Sequence, residues 1–354
     1  LSKKLLATQG FVKDDALHNY LKKSKSLKFT SHEFQAAISK SLESLIGKDF
    51  RLETLSKSRW TGISSDGFVF KVIAKKKVLY FKLTQNFEHQ IGTLLSYAYF
   101  KEHPNKHLTT PKILEHGHFE YLEKKGFFFT LMTEAKGSDM FSSLKEGNED
   151  ELIYFMSFMG RLIASFHKKH VSKLKNYDKL LFTTKVNEEL IHEILILPQS
   201  LGLETTNSTL SKFIKKIIPC YYISAQEYLK SQQLKSFSTT AIKLSNLAFD
   251  RDNDKLTIFD TTKLLPFCGP GTAPKWAPEF NFSSFLHHIQ FIGIHFNLKE
   301  EILMKCEEAY LKAYYDNIEK KIMTREGIVM FTTQAYIRSI KNLIIDSQSD
   351  PAFD

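Results

Sequence analysis

Apolar positions follow a helical spacing, then a strand spacing, then a helical spacing again, and this change of rhythm divides the chain. Residues 14–46 predict two short amphipathic helices, broken around residues 24–31. From Arg51 the runs become short and β-like: Phe68-Val69-Phe70-Lys71-Val72-Ile73, a turn at Lys75-Lys76, then Val78-Leu79-Tyr80-Phe81-Lys82-Leu83. These runs predict a hairpin. Alternate residues of a strand share a face, so Lys82 projects from the same side as Val78 and Tyr80. Phe87, Ile91, Leu94, Leu95 and Ala98 then recur at helical spacing, with Glu88 at the border of that face. Two further strands are expected, one from Pro111-Lys112-Ile113-Leu114 up to a turn at His116-Gly117, the other over 126–134, closed by Lys136-Gly137. Phe155, Met159, Leu162, Ile163 and Phe166 mark a long amphipathic helix ending in His167-Lys168-Lys169-His170. Residues 171–237 read as mostly helical, and after Pro270-Gly271 the helical rhythm returns over 281–343.

The 354 residues suffice for one large bilobal domain or two ordinary ones, and no segment has the composition of a disordered or low-complexity region. The formal net charge is +10. Its lysines are scattered in small groups (Lys22-Lys23, Lys75-Lys76-Lys77, Lys168-Lys169, Lys215-Lys216), without the compact basic block of a nucleic-acid arm. Nucleic acid is therefore disfavoured as a partner, whereas an anionic membrane surface or a phosphorylated glycan stays compatible, as does a charge that merely confers solubility. Cys220, Cys268 and Cys306 form no C-x-x-C pair, which speaks against a disulfide framework or zinc site and for a reducing compartment. No stretch reaches the ~18 apolar residues of a membrane span, and Thr8, Gln9 and Lys13 interrupt the opening basic-apolar run. The expected location is cytoplasmic, with peripheral attachment to a membrane left open.

Several chemistries are disfavoured by their missing motifs. There is no G-x-x-x-x-G-K-[ST] loop, no G-x-S-x-G elbow and no H-E-x-x-H pair among His116, His118, His287 and His288, which read as satisfied surface or core histidines. Asp250, Asp252 and Asp254 lack the glycine and terminal glutamate of a calcium loop and read as a polar hairpin turn.

One segment carries positive evidence: Thr239-Thr240-Ala241-Ile242-Lys243-Leu244-Ser245-Asn246-Leu247-Ala248-Phe249-Asp250, followed by Leu256-Thr257-Ile258-Phe259-Asp260. It has the spacing of an H-x-D-x-K-x-x-N catalytic loop and the metal-binding strand beyond it, with alanine in the aspartate's place. With Lys82, the Glu88 helix, the hinge-like Leu131-Met132-Thr133-Glu134 and the helix Gly160-Arg161-Leu162-Ile163-Ala164-Ser165-Phe166-His167, the order of features resembles the aminoglycoside-phosphotransferase and lipopolysaccharide-core-kinase branch of the protein-kinase-like superfamily. The likeness extends over 51–317. It implies an α+β, bilobal protein-kinase-like fold: a helical lead-in over 1–50, a small antiparallel β-sheet lobe over 51–136 that binds nucleotide, and a larger mainly helical lobe over 137–354.

The resemblance also assigns roles. Lys82 would neutralise the nucleotide phosphates with Glu88 as its ion-pair partner, Glu134 and the glycines Gly62 and Gly67 would border the nucleotide, Lys243 would belong to the catalytic loop, and Asn246 with Asp260 would hold Mg2+ beside ATP. Each residue also has a plainer reading. A strand lysine can be a solvated edge residue, residues 60–67 can form a simple hairpin turn without the G-x-G-x-x-G spacing, and Asn246 and Asp260 can cap loops. Ala241 removes the group that orients the acceptor hydroxyl, a contribution of typically ~10²–10⁴ in rate. Three accounts fit it: a natural pseudokinase, an active enzyme with another base, or a deliberate change, against which the accompanying Thr239 in place of histidine argues. The expected activity is transfer of the ATP γ-phosphate to a small-molecule or glycan hydroxyl, weakened or lost. The alternative is a non-catalytic binding module on the same fold. The acceptor would be selected by the helical insertion over 171–237, whose sequence carries no transferable code.

Overall fold

A computed structural model describes residues 32–54, 67–74, 77–84, 87–102, 104–121, 125–170, 172–173, 209–230, 235–236, 247–259, 277–318 and 322–349. In chain order the elements are α1 (His32–Ile46), β1 (Phe50–Thr54), β2 (Gly67–Ala74), β3 (Lys77–Thr84), α2 (Phe87–Glu102), β4 (Leu108–Thr109), β5 (Ile113–Tyr121), β6 (Lys125–Thr133) and β7 (Ser138–Asp139). The chain continues with α3 (Met140–Glu146), α4 (Glu149–His170), β8 (Ser172–Lys173), α5 (Thr209–Lys230), β9 (Lys235–Ser236), β10 (Leu247–Asp250), β11 (Lys255–Ile258), α6 (Pro278–His295), α7 (Glu300–Asp316) and α8 (Arg325–Ser349).

The period-two runs build a five-stranded antiparallel sheet in the order β1-β2-β3-β6-β5. The expected hairpin is β2–β3, in register from Gly67 opposite Thr84 to Ala74 opposite Lys77. Leu79, Phe81 and Leu83 occupy one face of β3 and are buried with Phe70, Val72, Phe127 and Leu131. The second of the expected lead-in helices, α1, closes this face with Ile38 and Leu42, both 0% exposed. Burial of that kind is worth about 1.5–3 kcal/mol per side chain. The first expected helix lies outside the described residues.

The turn expected at His116-Gly117 is not there. β5 runs straight through it, pairing His116 with Thr130 and Gly117 with Phe129. Gly117 serves packing instead of turning, because a Cβ at that position would lie 2.8 Å from the Phe129 ring.

The helical lobe is built on α4, whose Phe155, Met159 and Ile163 are fully buried as the 3.6-residue rhythm predicts. Gly160 lets α7 approach closely, since a Cβ there would meet the Tyr310 carbonyl and the Ala313 side chain. Farther along the same contact, the buried His167 Nδ1 is 2.7 Å from the Tyr314 hydroxyl. The helical stretch expected over 281–343 resolves into α6, α7 and α8, and no helix of the described residues is long and apolar enough to cross a membrane. In the expected helical insertion, α5 packs on α8 through Tyr221, Ala225 and Tyr228, while β8 and β9 pair and bring its two ends together.

Candidate functional site

Two neighbouring interior strands of the sheet, β3 and β6, set the geometry. On β3, Val78, Tyr80 and Lys82 form the half-exposed face, opposite the buried face. Lys82 therefore projects where its alternation with Tyr80 predicted. On β6, Met132 stands across from Tyr80 and Thr130 across from Lys82. Same-face neighbours on a strand are about 7 Å apart, so this face offers an aromatic ring and an ammonium group within one nucleotide's length. Burial, followed by the nearby carboxylates of Glu134 and Asp139, raises the Tyr80 pKa and keeps its hydroxyl protonated.

Helix α2 is fixed to this same face. Gln90 Nε2 donates to the Phe129 carbonyl at 3.0 Å, and the buried Thr130 hydroxyl donates to Gln90 Oε1 at 3.0 Å. Both polar groups of one amide are thus satisfied by one strand, which sets the position and roll of the helix that carries Glu88. Of Glu88 only the backbone is described, as is that of Gly67 at the start of β2.

The exit from the sheet is equally constrained. Glu134, exposed, follows β6, and Gly137 adopts φ +101° against the backbone of Phe249 and Asp250, where a Cβ would overlap it. Only glycine combines that conformation with that approach. β7 then pairs with β10, and Asp139 caps α3 through Oδ2, accepting from the Ser142 backbone N–H at 3.3 Å and the Ser142 hydroxyl at 2.7 Å.

The β10–β11 hairpin is held on every side. Its second sheet has the order β4-β11-β10-β7, so the chain leaving α2 and the chain leaving β6 flank it. The turn, with Asp254 at φ +49°, is the polar one that its aspartates predicted. The Tyr154 hydroxyl donates to Asp254 Oδ1 at 2.7 Å, His107 Nδ1–H donates to the Asp254 carbonyl at 3.0 Å, and the Arg251 guanidinium lies over the Tyr154 ring at 4.7 Å. Underneath, Phe249 packs on Phe155 and Phe158. At the open end, Leu247 faces Ile258. The chain therefore enters from 246 and leaves toward 260 on neighbouring antiparallel strands, about 5 Å apart.

Gly62, Ala241, Lys243, Asn246 and Asp260 lie outside the described residues. The donor set at 246 and 260, an amide oxygen and a carboxylate, has the hard-oxygen chemistry that magnesium prefers. Among the described residues no cluster of three His, Cys, Asp or Glu could hold a metal. Neither Tyr80 as a ring for a ligand nor Gln90 as the anchor of α2 was expected from the sequence. The signal for Tyr80 was its two-residue offset from Lys82; for Gln90, a polar residue set between the helix's apolar positions.

A five-stranded antiparallel sheet joined through a glycine crossing to a helical lobe, with a buttressed hairpin at the junction, is the bilobal α+β architecture of protein-kinase-like phosphotransferases, and the chain has that fold. Among solved structures it is similar to the GDP complex of aminoglycoside 2'-phosphotransferase-IIIa, with a TM-score of 0.50 at 8% identity over 91% of this chain and 95% of that one. A ternary complex of an aminoglycoside phosphotransferase with ADP and hygromycin B aligns with a TM-score of 0.44 at 13% identity, covering 89% of this chain and 99% of that one. A spectinomycin phosphotransferase with ADP and spectinomycin gives 0.42 at 12% identity, with coverage of 87% and 98%. No family model matches the chain, and no curated protein matches it by sequence.

Proposed function

We propose that this chain binds a magnesium nucleotide, ATP in the first instance, between the open face of β3 and the end of the β10–β11 hairpin, and transfers its γ-phosphate to a small-molecule or glycan hydroxyl at a rate reduced by Ala241. The observation that carries this reading is the placement of Tyr80 and Lys82 on one half-exposed face, beside the hinge-like residue Glu134. Tyr80 would stack the base, a contact worth ~1–3 kcal/mol, and Lys82 would meet the phosphates. Lys243, Asn246 and Asp260 complete the assignment, with Gly62, Gly67 and Glu88 as its remaining supports. Much of phosphoryl-transfer catalysis is positioning and charge neutralisation, which these residues supply without a base at 241.

One observation favours a second reading. Ala241 together with Thr239 removes two side chains of the catalytic loop at once, as expected of a module that keeps the nucleotide and has given up transfer. The Ala241→Asp variant separates the two readings. Where acceptor geometry survives, ATP turnover with magnesium should rise about tenfold or more, measured with and without aminoglycoside and glycan acceptors. Turnover in the Ala241 form that the added aspartate leaves unchanged contradicts the role given to position 241. Silence in both forms supports the binding module.

A further inference from the structure

Helices α6, α7 and α8 line a half-open cavity of about 350 Å³ that the proposed phosphotransfer site does not use. Its volume falls in the ordinary range for a small-molecule site, on the order of 300–1,000 Å³. Helix α4 packs against both the β10–β11 hairpin and α7. The α4 residues Phe155 and Phe158 pack on Phe249 of the hairpin, while Gly160 and His167 meet α7. Phe282, Leu286 and Leu311 give the cavity an apolar floor.

One helical turn from Leu286 and Leu311 on the same helices, Gln290 and Glu307 belong to a chain of polar groups. The Tyr336 hydroxyl donates to Gln290 Oε1 at 3.0 Å, and Gln290 Nε2 donates to Glu307 Oε2 at 2.5 Å. His287, 5% exposed, also lines the cavity; its Nε2 bonds Ser339 Oγ at 2.8 Å and its Nδ1 is buried with no partner. Burial lowers the His287 pKa to about 4 and keeps the ring neutral near pH 7. Among the described walls Glu307 is then the one charged group, and its carboxylate and the Tyr336 oxygen have lone pairs to offer. Such a wall selects a donor of hydrogen bonds and a positive charge.

We propose that this cavity is a binding site for a compact organic amine, with its ammonium group against Glu307 and the Tyr336 oxygen and its apolar body over Phe282, Leu286 and Leu311. The test is calorimetric titration of the full chain with three probes of one shape: tryptamine, its neutral analogue tryptophol, and the carboxylate indole-3-acetate. Tryptamine should bind about tenfold or more tighter than tryptophol, with indole-3-acetate weakest. Glu307→Gln should erase the advantage of the amine and leave tryptophol within about twofold. Leu311→Trp, which fills the cavity, should abolish binding of all three. Equal affinities, no binding at millimolar probe, or tryptamine bound undiminished by Leu311→Trp would each overturn the proposal. Should Glu307→Gln fail to fold, the ranking of the three probes on the unaltered chain decides alone.

Discussion

At the scale of single residues, the account depends on Tyr80 and Lys82 acting on different parts of one ligand. Their removal should have separable effects. Tyr80→Ala should weaken adenosine and ATP alike, by about 10–100-fold, because it deletes a stacking surface. Lys82→Met keeps the volume of the stem and should weaken ATP while leaving adenosine nearly unchanged, because the phosphates alone lose their counter-charge. Titration of both variants with both ligands checks this; ATP affinity unchanged in Lys82→Met would place the site elsewhere. The face of Lys82 was legible from strand alternation alone. The purpose of Gly117 was not, since the same residue type that permits a turn also permits a phenylalanine ring to cross a strand.

At the scale of elements, the junction between the lobes is assembled from pieces too short to have a rhythm. β4 and β7 are two residues each, yet they convert the β10–β11 hairpin into a four-stranded sheet. An isolated hairpin is marginal in water, so these two short pairings hold the ends from which 246 and 260 depart. Two residues cannot express a period of two, and their pairing is set by where the chain crosses between lobes, which is why sequence reading found β10 and β11 but not their flanks. The attachment of α2 was hidden for a related reason: Gln90 is identified by what it meets on β6, forty residues away. Gln90→Met should leave the Thr130 hydroxyl buried without its acceptor and destabilise the protein by about 1–3 kcal/mol. Adding Thr130→Val should recover much of that loss in a double-mutant cycle, read from urea denaturation. Strictly additive losses would mean that the two side chains do not act as a unit.

At the scale of the whole molecule, stability should fall in mild acid. Burial lowers the pKa of His167 to about 3 and of His287 to about 4, against 6.5 for the ordinary side chain. The unfolded chain therefore binds these protons first, and the stability gained from neutral rings, complete above pH 6.5, drains away as pH falls toward 4 and 3. Between pH 7 and pH 5 each histidine should account for about 2 kcal/mol. Glu279, whose pKa burial raises, works in the opposite sense, gaining protons in the native state before the unfolded one. Urea midpoints at the two pH values check the balance, and the difference should shrink in His287→Phe; a pH dependence unaltered by that change would contradict the buried neutral ring. The central claim, that this bilobal fold holds a metal nucleotide, is tested most directly by thermal unfolding with millimolar ATP or GTP, with magnesium and again with the metal chelated. The account expects the nucleotide to raise the melting temperature by several degrees when magnesium is present, as a ligand near a hundred times its Kd would, about 2.7 kcal/mol, with most of the rise lost on chelation. No shift with either nucleotide in the presence of magnesium would contradict it.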